Sequence, residues 1–297
     1  MQVAMTPMET VGLRQFAARN PALVLGLLAV GIPTLVAMAS QSWTREEGVH
    51  GPIVLATGFW LIWRRADEIR REAVPGNFWL TLAGLLVAAA IYTFGRAYGF
   101  LVLEVGAVYL AGISLAYGFI GFRLLRKLWF PILYLGFAVP LPGWLLDSIT
   151  LPLKYLVSDI VTRLLQAVGY PIVQVGVTLY IAQYQLLVED ACAGLNSIIS
   201  LTAIGLFYIY LFHNASWRYA LLLVALVLPI AIAANVIRVI ILVLITYYLG
   251  DEMAQGYLHD TAGIVTFVSA LLLIFMIDGL LTPVRRMLTR RSDAPAA

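Results

Sequence analysis

From Tyr219 to Leu249 the chain runs for 31 residues with a single charged side chain, Arg238. Coiled as a helix at ~1.5 Å per residue, that run measures ~46 Å, against ~30 Å for the hydrocarbon core of a bilayer. It does not stand alone. Apolar runs recur at 21–39, 49–63, 78–94, 98–119, 128–142, 191–212 and 260–281, making eight candidate spans with 219–249. Of these, 49–63 and 128–142 are short for a crossing. Hydrophobic residues make up 62% of the chain and charged residues 12%, about half the share of a soluble domain. The expected fold class is all-α: a polytopic membrane protein of about eight transmembrane helices. It forms a single integral-membrane domain over 1–284, followed by a basic cytoplasmic tail, 285–297, without structure of its own. The stretch "LVAMAS" resembles a signal-peptidase site, but the apolar run from Pro21 to Ala39 exceeds the ~7–15 residues of a signal-peptide core. It reads as a retained first span.

A net charge of +3 and a pI near 9.0 would suggest nucleic acid as the partner of a soluble protein. Here the basic residues sit beside apolar spans, so they speak of orientation, and no nucleic-acid partner is expected. With the N-terminus in the cytoplasm, eight spans put 14 of the 19 Lys and Arg residues inside: Arg14 and Arg19, Arg64 to Arg71, Arg123 to Lys127, Arg218, and Arg285 to Arg291. Four lie outside: Arg45, Arg96, Lys154 and Arg163. That excess is a positive-inside signal, and both termini face the cytoplasm in this arrangement.

The segment 143–190 then faces outward. Its first part carries Asp147, Thr150, Lys154, Ser158, Thr162 and Gln166, spaced by three or four, with Leu, Ile and Val elsewhere. This is an amphipathic helix that lies on the membrane surface or packs on the bundle, and Pro152 is expected to kink or split it. The following stretch, 172–190, is rich in β-branched and aromatic residues and too polar to span. It predicts a short β-hairpin turning near Ala182–Tyr184.

Directly after comes the only cysteine, Cys192, in "LLVEDACAGLNS". Most free cysteines are small buried hydrophobes. This one opens the sixth span at the outer surface, and a thiol with no intrachain partner is a candidate nucleophile where a histidine can reach it. His259, in the outer loop "GDEMAQGYLHDTAG", faces the same side. By itself it reads as a solvated loop residue. Arg238 lies ~30 Å up from Arg218 along the seventh span, near the outer boundary. An arginine there either snorkels to headgroups or serves a function. Asn235, one turn earlier on the same face, favours a polar pocket. A thiol, an imidazole and a guanidinium at one depth suit acyl transfer. The helix dipole favours the Cys192 thiolate, whereas Glu189 and Asp190 oppose it. His259 would act as general base and acid, and Arg238 as oxyanion stabiliser.

"ACAGLNS", then "ANVIRV", then "LHDTAG", each on or beside a late span, together resemble the exosortase/archaeosortase family over roughly 130–280. The resemblance implies a membrane-embedded cysteine protease or transpeptidase. Such enzymes are proposed to act on secreted proteins carrying a C-terminal signal: a Pro-Glu-Pro motif, a transmembrane helix and a basic tail. They cleave near the motif and pass the protein to a surface acceptor. The implied localisation is the bacterial inner membrane with the site outside. The family's nucleophile falls on Cys192, its arginine on Arg238 and its histidine on His259, and Asn235 matches an asparagine common in the arginine motif; Asn196, Glu189 and Asp260 are further supporting candidates beside these residues. Ala193 departs from the serine that many members place after the cysteine. Partners would be the substrate proteins, membrane lipid and an unidentified acceptor. Neither a cofactor nor a metal is implied, since one cysteine and scattered histidines offer no ligand cluster. Two other readings stay open. A transporter would line a pathway with Glu104, Arg238 and Asp278, and an envelope-assembly scaffold would use no thiol chemistry.

Overall fold

The computed structural model describes residues 21–44, 48, 50–187, 202–208, 210–211 and 217–250, with 268–269, 272–273, 275–277 and 279–281. The chain divides into two compact units between Leu141 and Pro142.

The first unit is helical: α1 (Pro21–Gln41), α2 (Gly51–Trp63), α3 (Ala66–Glu72), α4 (Phe78–Tyr98), α5 (Leu101–Lys127) and α6 (Trp129–Leu135), ending in a 3-10 turn, Gly136–Ala138. Asn77 caps α4, its Oδ1 accepting from the backbone N–H of Trp79 at 2.9 Å and of Leu80 at 3.2 Å. Gly99 ends α4 in the left-handed region, at φ +71°, and the chain turns at once into α5. The two helices pack closely because small residues meet. A Cβ on Gly118 would lie 2.9 Å from the Thr81 side chain, and one on Gly84 would overlap Ser114.

Glu104 in α5 is 3% exposed and belongs to this packing. Its carboxylate accepts from Thr34 Oγ1 in α1 at 2.9 Å and from Arg96 Nη1 in α4 at 3.1 Å. A buried carboxylate is tolerated only with such partners. It therefore ties three helices together, which accounts for a residue that had no catalytic role by sequence.

α5 is interrupted at Gly121, where φ is +69° and ψ is 172°. The connector leaving α3 crosses there, with the carbonyl of Val74 against the space a Cβ would fill and the N–H of Gly76 bonded to Gly118 O at 3.1 Å. Only glycine takes this backbone region readily. Gly121→Ala is expected to cost ~1–3 kcal/mol from backbone strain alone, with the overlap on Val74 added. Thermal unfolding in detergent checks this: an unchanged midpoint would contradict the crossing.

The second unit begins with α7 (Gly143–Ala167), which continues through Pro152 without being split. The break falls earlier, at Pro140 and Pro142, where two prolines flanking Leu141 deny the chain helical hydrogen bonds. Three strands follow: β1 (Ile172–Val175), β2 (Thr178–Ile181) and β3 (Tyr184–Leu187), antiparallel in the order β1-β2-β3. The expected hairpin is therefore a three-stranded meander. The turn at Ala182 is present, and a second turn at Gly176 precedes it. Both are two-residue loops opening with positive φ, +65° at Gly176 and +51° at Ala182. The long helix α8 (Trp217–Leu249) packs with α7 and the sheet around one core: Val157, Val161, Leu165, Ile172, Leu179, Ile181, Val236, Val239, Leu242 and Val243.

Among the described residues four helices are long and apolar enough to cross a membrane: α1, α4, α5 and α8. A fifth follows if the helices on either side of the Pro140–Pro142 break count as one broken span. The eight-span expectation thus holds only in part. The run 49–63 forms a helix of 13 residues, ~20 Å long and short of the hydrocarbon thickness. The run 128–142 is not one helix but α6, a 3-10 turn and the proline-rich break. Runs 191–212 and 260–281 lie largely outside the described residues, as does the tail 285–297. The molecule is a mostly helical, multi-pass membrane protein with one small sheet.

Candidate active site

The site is best approached from α8. Asn235 is fully buried and Arg238 is 2% exposed, and Leu242 and Thr246 continue the same face at spacings of three and four. Ile237 and Ile241 point away and are exposed, so the outward face is apolar and the inward face carries the polar groups. That is the arrangement of a helix with lipid on one side and protein on the other. Snorkelling of Arg238 to headgroups is excluded by its burial, and Asn235 and Arg238 are both engaged by neighbours. A guanidinium in such low-dielectric surroundings exerts a far stronger field than one in water.

α7 supplies the opposing wall. Its polar stripe is turned inward: Thr150, Ser158 and Thr162 are buried and Lys154 is half-buried, while Leu151, Tyr155, Leu156 and Leu164 are exposed. Of the two placements open to this helix, packing on the bundle is the one adopted. Asp147 and Gln166, at the ends of the stripe, remain exposed.

The two helices pack together, and their C-terminal ends meet. Tyr170, just beyond α7, has its hydroxyl 2.9 Å from that of Tyr248 near the end of α8, and its ring stands edge-on to Tyr247 at 5.5 Å. The Ser158 hydroxyl donates to Lys154 O at 2.8 Å and that of Thr246 to Leu242 O at 2.9 Å. Thr162 Oγ1 is buried with no hydrogen-bond partner among the described residues. A set of buried polar side chains on α7 and α8 is the result. Sequence reasoning had found its α8 side through Asn235 and Arg238. The α7 side was missed, although the stripe that makes it was visible.

Cys192, Glu189, Asn196, His259 and Asp260 lie outside the described residues. Of the candidate site residues, the structure brings together Asn235 and Arg238. Glu104, which a transport pathway would have used, instead serves the Thr34 and Arg96 network of the first unit.

No curated protein and no solved structure matches this chain. A family model described as transmembrane exosortase does match, over residues 43–276, which is more than three quarters of the sequence and encloses Cys192, Arg238 and His259. The chain, with its buried Asn235 and Arg238, therefore belongs to the transmembrane exosortase family, whose members are membrane-embedded sorting enzymes.

Proposed function

We propose that this protein is a cysteine transpeptidase or protease of the inner membrane, with both termini in the cytoplasm and its site on the outer side. Its substrates are secreted proteins that end in a Pro-Glu-Pro motif, an apolar helix and a basic tail. The observation that carries this reading is the burial of Arg238 beside Asn235 in a membrane-spanning helix of an exosortase. A buried cation of this kind is costly unless it has work to do.

In the proposed reaction the Cys192 thiolate attacks the carbonyl carbon of the scissile peptide bond. The electron pair moves onto oxygen, and Arg238 stabilises the oxyanion. Collapse of the tetrahedral intermediate breaks the C–N bond, and His259 gives a proton to the departing amine. The remaining thioester is attacked by an acceptor nucleophile or by water, whose proton His259 takes, and the thiolate is regenerated. Glu189, Asn196 and Asp260 would hold these groups in place. The 14-to-4 division of basic residues supports the orientation. A substrate helix with a basic cytoplasmic tail would bring its motif to the outer interface, the depth inferred for Cys192.

A reporter fused to such a signal should be cut between the motif and the helix when this enzyme is co-expressed. Persistence of the reporter at full length in the membrane, with the enzyme present at normal abundance, would overturn the reading.

A further inference from the structure

The first unit carries exposed aromatic side chains at two levels. Phe78 and Trp79 open α4, their rings edge to face at 5.5 Å, and Phe94 and Tyr98 close it with rings 4.6 Å apart. The 21 residues of α4 make ~30 Å of helix, the thickness of the hydrocarbon core. Aromatic belts of this kind mark the two membrane–water boundaries. Trp63 at the end of α2, Phe122 near the end of α5 and Trp129 just beyond it are exposed as well, at the Phe78 end of the unit.

Basic residues gather at that same boundary on a fixed frame. α3 is tied to the end of α5: Arg65 Nη1 donates to Lys127 O at 3.1 Å, and Lys127 Nζ lies 2.5 Å from Glu72 Oε2 and 3.5 Å from Glu68 Oε1. Residues 64–72 and 123–127 together hold seven cationic side chains and three acidic ones. All three acids are already engaged, Asp67 by Arg70 at 3.6 Å and the two glutamates by Lys127. Positive charge is left over.

Three of the cations converge. Arg123 and Lys127 lie one turn apart on one face of α5. The Glu72 carboxyl is held below its usual range by the hydrogen bond from Lys127 first, and by the charges of Lys127, Arg123 and Arg71 in addition. One carboxylate does not balance three cations, and Arg71 and Arg123 are exposed. The chain has no anion to add. In the orientation proposed above, the segments 1–20, 212–216 and 282–297 share this side, and their only acids, Glu9 and Asp293, are outnumbered by their own arginines.

We propose that Arg71, Arg123 and Lys127 form a binding site for the phosphodiester headgroup of an acidic phospholipid. Depth and charge together select this occupant: the cations sit at the level of an aromatic belt, where lipid phosphates lie, and basic clusters between helices at that level hold acidic headgroups. Guanidinium groups suit phosphate oxygens through paired hydrogen bonds. The inference goes beyond the sorting function and is independent of the thiol chemistry.

The test counts retained lipid. Full-length protein in neutral detergent is mixed with equal amounts of phosphatidylglycerol and phosphatidylcholine of matched acyl chains and examined by native mass spectrometry. Phosphatidylglycerol should be retained ~10-fold more than phosphatidylcholine, and Arg71→Gln/Arg123→Gln should reduce that retention ~10-fold or more, at about fivefold for each cation near the surface. Glu72→Gln, which removes the competing carboxylate, should raise it ~3-fold or more. Arg290→Gln/Arg291→Gln removes the same charge from the tail and should stay within ~2-fold of the unaltered protein. Equal retention of the two lipids, an equal loss in the tail variant, or no gain in Glu72→Gln would overturn the proposal. A large molar excess of inorganic phosphate should leave the lipid bound; its displacement would reveal a site for soluble anions and overturn the lipid assignment. Should Arg71→Gln/Arg123→Gln fail to fold, the gain or its absence in Glu72→Gln decides, since misfolding does not raise lipid retention selectively for one headgroup.

Discussion

Cys192→Ser is expected to leave the reporter uncut in the membrane with its C-terminal helix attached, lowering cleavage by ~10³-fold or more. The expectation follows from acidity. A thiol of pKa ~8.5 yields useful thiolate near neutrality, especially at the start of a helix. A serine hydroxyl, far less acidic, does not. Losing the nucleophile of a covalent mechanism removes most of the catalysis at a stroke. His259→Ala should give nearly the same loss, since the departing amine would lack its proton donor. Both variants should accumulate to normal levels, because neither side chain is asked to hold the fold. Immunoblots of enzyme and reporter from the same cells make the comparison. Complete processing by Cys192→Ala at matched enzyme abundance would sink the nucleophile assignment.

Arg238→Lys should lower cleavage by ~10²-fold or more, the scale for losing one oxyanion donor. The charge is kept, but an ammonium cannot reproduce the planar, forked donors or the reach of guanidinium. Burial sharpens the expectation. Arg238 is 2% exposed, held on the face it shares with Asn235 and Leu242, so water cannot bridge a shortened side chain to its target. Near-normal cleavage by the lysine variant would point instead to a general electrostatic role. Reduced abundance would reveal a structural one.

Much of this architecture was legible in the sequence because it depends on local chemistry. The runs that became α1, α4, α5 and α8 declare themselves by length and lack of charge. The shared face of Asn235 and Arg238 follows from their spacing alone. What escaped the sequence depends on partners distant along the chain. The interruption at Gly121 exists because the stretch after α3 crosses α5 there, and no local pattern announces a crossing. The amphipathic period of α7 was plain, but a period does not say whether its polar side meets water or protein. Burial of Ser158 and Thr162 decides for protein. Glu104 resembled a pathway carboxylate until Thr34 and Arg96, 70 and 8 residues away, were seen to hold it. Gly176 offered a turn that β-branched neighbours disguised as uninterrupted strand, so a meander was read as a hairpin. Cys192 and His259 were found by sequence and lie outside the described residues, so chemistry must test them.

The most direct measurement is of the covalent intermediate. Enzyme mixed with a reporter bearing the sorting signal, quenched in acid within the first turnovers and digested, should yield a peptide containing Cys192. That peptide should carry the mass of the reporter's new C-terminal fragment, and neutral hydroxylamine should remove it, as expected of a thioester. The adduct should be missing from Cys192→Ala and sharply reduced in Arg238→Lys. Efficient cleavage of the reporter with no adduct on Cys192, at quench times spanning the first turnover, would contradict the account.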